Sequence, residues 1–115
     1  MSTEAGMDLT VAIEPAGGTG QHAGPHQTFS NPLKARLVDR RSGLPVADAT
    51  VTFAWLATTQ QVLFEGGAPT VTVDTDSQGY AQTPPLVAGD ATGTASFTVT
   101  AEGAAPKHFE VTVDH

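Results

Sequence analysis

The run VDTDSQGYAQTP, Val73 to Pro84, spaces its oxygen-bearing side chains as a calcium loop does. Asp74, Asp76 and Gln78 alternate, and Gly79 follows. An EF-hand loop needs side-chain oxygens at alternating early positions and a bidentate glutamate at the twelfth, between two helices. Counted from Asp74, the twelfth position is Pro85, which has no side-chain oxygen, and neither flank has a helical period. An EF-hand is excluded. A looser calcium site between strands would use Asp74 and Asp76, with Asp90 as an extra ligand. The competing reading, which the residues favour, is a four-residue turn, Asp76-Ser77-Gln78-Gly79. Aspartate at its first position can hydrogen-bond its own backbone two residues on, and glycine fits the last. Strand alternation also points Asp74 and Asp76 away from any core, as solvated acids should.

A second candidate is HAGPH, which sets His22 and His26 four apart. On a helix that spacing would put two imidazoles on one face for zinc. Gly24 and Pro25 between them disfavour a helix, and a third ligand would have to arrive in space from His108, His115 or an acid. A solvated loop is the simpler expectation. Hydrolase signals are absent: there is no Gly-x-Ser-x-Gly elbow, no P-loop and no Gly-x-Gly-x-x-Gly opening a helix. PAGGTG has glycines but lacks the Lys-Ser/Thr that would hold phosphate and magnesium. Arg40 and Arg41, the one adjacent basic pair, read as a solvated turn, or as a contact for an acidic partner or neighbouring domain. The expectation is no catalytic residue, no cofactor and no resident metal.

The elements that would carry these residues belong to a chain of 115 residues, the size of one domain with one core. Five basic residues against twelve acidic ones give a net charge of −7. Such a surface repels nucleic-acid phosphates and anionic membranes. There is no cysteine, so disulfides, thiolate metal sites and cysteine nucleophiles are excluded. MSTEAGMDLT has neither a basic n-region nor an apolar h-region, and no apolar run reaches the roughly 20 residues that span a bilayer. The location expected is extracellular or at a cell surface, as part of a larger protein, or cytoplasmic if the chain is complete as given.

Twelve glycines and eight prolines punctuate short alternating segments. Residues 1–7 read as a flexible tail, and 8–115 as a single domain. Asp8 to Glu14 alternates, with Leu9, Val11 and Ile13 on one face. Pro15 to Pro32 is a long Gly/Pro loop that can hide a short edge strand near Gln27 to Phe29. Leu33 to Asp39 is the next strand, with Leu33, Ala35 and Leu37 inward. Ala49 to Trp55 is the clearest strand, with Ala49, Val51, Phe53 and Trp55 on one face. A shorter strand is expected around Val62 to Phe64, then Thr70 to Thr75 with Val71 and Val73 inward. Gly79 to Thr83 is stopped by Pro84 and Pro85, which cannot donate to a ladder. Gly93 to Gly103 and Lys107 to Asp114 complete the series, the first with Phe97 and Val99 inward and the second with Phe109, Val111 and Val113.

No segment holds a 3.6-residue period over ten residues. Seven to nine short strands predict an all-β fold, an immunoglobulin-like sandwich of antiparallel strands. Its core anchors would be Val51, Phe53, Trp55, Phe97 and Val99. Trp55 is the largest, and its full burial would contribute about 3 kcal/mol.

Three runs then fit together. SGLPVADATVTF, Ser42 to Phe53, has the form Gly-x-Pro-Val-x-x-Ala-x-Val-Thr-Phe. TVDTDSQGYAQTPPLVAG, Thr72 to Gly89, has the form Thr-x-Asp-x-x-Gly-x-Ala with a polar-proline exit. GTASFTVTAEG supplies the Val-Thr-Ala strand that follows. In order and spacing the chain from Leu33 to Val113 resembles the bacterial immunoglobulin-like domains of the invasin and intimin kind. The resemblance implies a non-catalytic structural spacer or adhesion module of a bacterial surface or secreted protein, partnered by neighbouring domains or another protein. The long histidine-bearing loop at 15–32 departs from that pattern. The alternative is a ligand-binding module, for carbohydrate, that uses this loop and an exposed aromatic near it such as Phe29.

Overall fold

The computed structural model describes residues 10–57, 59 and 61–114. The expected tail at 1–7, the start of the first strand at Asp8 and Leu9, and His115 lie outside the described residues.

Every regular element among the described residues is a strand, as the two-residue alternation predicts. In chain order they are β1 (Val11–Gly17), β2 (His22–Ala23), β3 (Lys34–Asp39), β4 (Thr50–Trp55) and β5 (Val62–Phe64). β6 (Thr70–Asp74), β7 (Tyr80–Gln82), β8 (Leu86–Ala88), β9 (Gly93–Ala101) and β10 (Lys107–Val113) follow. One sheet has the order β1-β3-β7 and a second the order β2-β10-β9-β4-β6; β5 and β8 form a separate ribbon. With β1, β3 and β7 as the first, second and fifth principal strands, and β4, β9 and β10 together opposite, this is an immunoglobulin-like sandwich.

The inward faces are those the alternation marks. Ile13, Leu33, Ala35, Leu37 and Ala81 come from the first sheet or its approaches, and all are buried. Val51, Phe53, Phe97, Val99, Phe109 and Val111 come from the second and are fully enclosed. Phe53 meets Phe109 edge-on, with centroids 6.4 Å apart. Phe64 of the ribbon packs on Phe97 at 5.4 Å, so the ribbon covers one part of the same core. Offset and edge-on rings of this kind add about 1 kcal/mol to the area they bury.

Four expectations change. Ten strands are described rather than seven to nine, and one pair of strands is parallel: Thr112 and Val113 of β10 lie beside His22 and Ala23 of β2. The cause is a crossing from one sheet to the other, between Gly17 and Gln21. Gly18 and Gly20 there take φ of 88° and 81°, values that glycine adopts without a Cβ penalty. The chain thus leaves β3 and continues in the same direction along β10. Second, Trp55 is only half-buried. It ends β4, where the strand leaves the sandwich, and packs on the rim of the core; the phenylalanines fill the centre. Third, Val71 and Val73 are half-buried, because β6 is the outer strand of its sheet. Fourth, Leu86–Ala88 is a strand, not a loop exit. Thr28 bridges to its Val87, and the Phe29 N–H donates to the Leu86 carbonyl at 2.8 Å.

Candidate functional site

The calcium-like run is a turn between β6 and β7. The Asp76 carboxylate accepts the backbone N–H groups of Gln78 at 2.9 Å and Tyr80 at 3.0 Å. Those bonds, Tyr80's first, hold its carboxyl below the ordinary aspartate range. Gly79 closes the turn at φ 83°, and a Cβ there would lie 2.5 Å from the Leu37 carbonyl oxygen. Asp74 accepts the Thr50 hydroxyl across the β4–β6 ladder at 3.1 Å. Both carboxylates are thus engaged with the protein. Asp90 is exposed in the separate connection from β8 to β9.

The two loop histidines take different partners. His22 Nδ1 lies 2.6 Å from Asp114 Oδ2, with both side chains more than half exposed. His26 adopts φ 64°, and its N–H donates to the Gly89 carbonyl at 2.9 Å. His108 sits four residues before Thr112, the β10 partner of His22, which separates the two imidazole-bearing positions by about 13 Å along the strand. Among the described residues no group of three histidine or carboxylate side chains is arranged to hold a metal ion.

Arg40 and Arg41 sit in the β3–β4 connection. The Asp39 carboxylate there accepts the N–H of Arg41 at 2.8 Å and that of Ser42 at 3.1 Å. These bonds, Ser42's first, hold its carboxyl below the ordinary range. Phe29 is 3% exposed, because its segment is pinned to β8. It therefore offers no ring to a ligand, contrary to the expectation for a carbohydrate platform.

Two open clefts flank the first sheet. One, of about 480 Å³, runs along the outer side of β1 and is lined by Ile13, Glu14, Arg40, Ala105 and Lys107. The other, of about 410 Å³, lies where the 15–32 segment leaves and rejoins the sheet, among Gly17, Gly18, Asn31, Pro32, Lys34 and Gln82. Beside it, Lys34 Nζ stands 4.5 Å from the centroid of the Tyr80 ring and the Arg36 guanidinium 5.2 Å. Arg36 Nε also donates to the Gln78 carbonyl at 3.0 Å. Sequence reasoning missed this cluster. Alternation in LKARLVD does turn Lys34 and Arg36 outward, but the register that sets Arg36 opposite Tyr80 and Lys34 opposite Gln82 is a long-range pairing that no local pattern encodes.

The ends of the described chain are far apart. The Thr10 and Val11 N–H groups both donate to the Gly103 carbonyl at 3.0 Å, just ahead of β10. Asp114 follows the far end of β10, where its N–H donates to Ala23 at 2.9 Å. The seven residues of β10 therefore separate entry from exit by about 23 Å of strand.

No family model matches the chain, and no curated protein matches it significantly. Among solved structures, it is similar to a conjugative transposon lipoprotein from Bacteroides eggerthii. The TM-score is 0.52 at 9% identity, over 92% of this chain and 98% of that one. A likeness at so low an identity is one of fold, and it extends over nearly the whole sandwich.

Proposed function

We propose that this chain is a non-catalytic spacer or adhesion module of a bacterial surface or secreted protein, of the invasin and intimin kind. The observation that carries the reading is the placement of Thr10 and Asp114 at opposite ends of β10. A domain entered at one pole and left at the other can be strung between neighbours and add its length to a stalk. Several side chains with reactive chemistry serve the scaffold. Asp39 and Asp76 cap turns, and His22 and Asp114 clasp β2 to the end of β10. The location we propose is the cell envelope or surface, in a larger protein whose neighbouring domains are its first partners. The structural likeness to a lipoprotein of a conjugative transposon is in keeping with that location.

Small-angle scattering of two copies joined in tandem tests the reading. The expected maximum dimension is close to twice that of a single copy. Two copies folded side by side, with a maximum dimension near that of one, would remove the spacer from consideration.

A further inference from the structure

We propose that the cleft beside β3 and β7 binds a carboxylated saccharide, with Lys34 receiving the carboxylate and Asn31 and Gln82 receiving ring hydroxyls. This is independent of the spacer reading, since a stalk domain can carry such a site on its flank or lack one.

The cleft is built. Its wall is the place where the chain leaves and rejoins the first sheet, and the Gln21 side chain ties that wall together. Gln21 donates to the Gly18 carbonyl at 2.8 Å and to the Asn31 carbonyl, and accepts the Asn31 N–H at 3.0 Å. Gly18, at φ 88°, lies so close to Pro32 and Leu33 that a Cβ would strike their backbone. The volume of about 410 Å³ falls within the range of small-ligand sites.

Its polar groups are unspent. Among the described residues, the Asn31 and Gln82 side-chain amides make no hydrogen bond, and the Lys34 ammonium lies against the Tyr80 ring and makes no hydrogen bond or ion pair. Each amide offers both donor and acceptor, which is what a ring with vicinal hydroxyls requires. The cation–π contact fixes the ammonium while leaving its protons available.

Charge selects the ligand. Arg36 stands opposite Glu14 across β1 and β3. Lys34 stands opposite Gly17 and Gln82, neither of them charged. Lys34 is thus a local cation on a chain of net charge −7. A short carboxylated oligosaccharide can approach it, whereas a long polyanion would be opposed by the net negative charge of the chain. An acidic peptide is disfavoured because β7 has three residues and is stopped by Pro84 and Pro85, too short an edge for strand addition.

The test is a titration of the ¹⁵N-labelled chain with trigalacturonate, followed by amide shifts. A neutral galactose trisaccharide and triglutamate serve as controls. Shifts are expected at Gly17, Gly18, Asn31, Lys34 and Gln82 with trigalacturonate, and much weaker ones with either control. Lys34→Gln should weaken binding by about tenfold, the worth of one charge-assisted hydrogen bond, with the rest of the spectrum unchanged. Asn31→Ala, at an exposed position, should weaken it less, and Lys107→Gln not at all. No shifts at these residues, equal binding of the neutral sugar, or triglutamate binding as tightly would each overturn the proposal.

Discussion

The Thr75 hydroxyl accepts the N–H of Ala49 at 2.9 Å, while its proton goes to the Val46 carbonyl at 2.7 Å. One 3%-exposed side chain thereby replaces a ladder bond. The β4–β6 pairing has a bulge here: Asp48, at φ 59°, donates to the Thr75 carbonyl, and Thr75 donates to the Ala49 carbonyl. Two residues face one, and the hydroxyl takes the N–H left over. Thr75→Val keeps the shape and removes both hydroxyl bonds. It should cost about 1–3 kcal/mol in urea unfolding, because a partly buried N–H and a carbonyl lose their partner. Thr75→Ser should cost less, and a valine variant as stable as the parent would refute this role.

Acid stability should track the two turn-capping aspartates. Asp76 is lowered by the N–H groups of Tyr80 and Gln78, and Asp39 by those of Ser42 and Arg41. A carboxyl whose folded pKa lies below its unfolded one contributes fully above the unfolded value, near 3.8. That contribution is lost as pH falls through the folded value. Thermal melts from neutrality to about pH 2 should therefore steepen downward only below the ordinary aspartate range. Asp76→Ala should melt lower at neutral pH and lose less on acidification. An unchanged acid limb would contradict the assignment.

The fold was legible because one face of most strands is apolar at period two. Ile13, Leu37, Phe53, Phe97 and Val111 all lie where alternation places them. What local pattern could not supply was pairing. Leu86-Val87-Ala88 is too short to show alternation and follows two prolines; only contact with Val62–Phe64 and Thr28 makes it a strand. His22-Ala23 has no strand signature either, and becomes one because the glycine crossing delivers it to the free edge of β10. Phe29 looked exposed in a glycine-rich loop, yet its backbone bond to Leu86 draws the ring inward. The Asp76 turn was readable, since its chemistry lies within five residues. The Lys34 cleft was not, since its residues come from three separated segments.

A spacer must carry load from pole to pole. β2 and β10 run the same way, and their bonds lie across the line between Thr10 and Asp114. These are Gly20 to Glu110 at 2.6 Å, Thr112 to Gln21 at 2.9 Å and Asp114 to Ala23 at 2.9 Å, each donor first. Pulling the two ends loads them together rather than one after another. The direct measurement is single-molecule unfolding force, taken from the ends and again through a cysteine at position 92 and the C-terminus. The second geometry unzips β9 from β10, and the chain has no cysteine of its own. The force from the ends should be several-fold above the unzipping force, and reduced by Thr112→Pro, which deletes one of the three bonds. Equal forces in the two geometries would contradict the spacer reading.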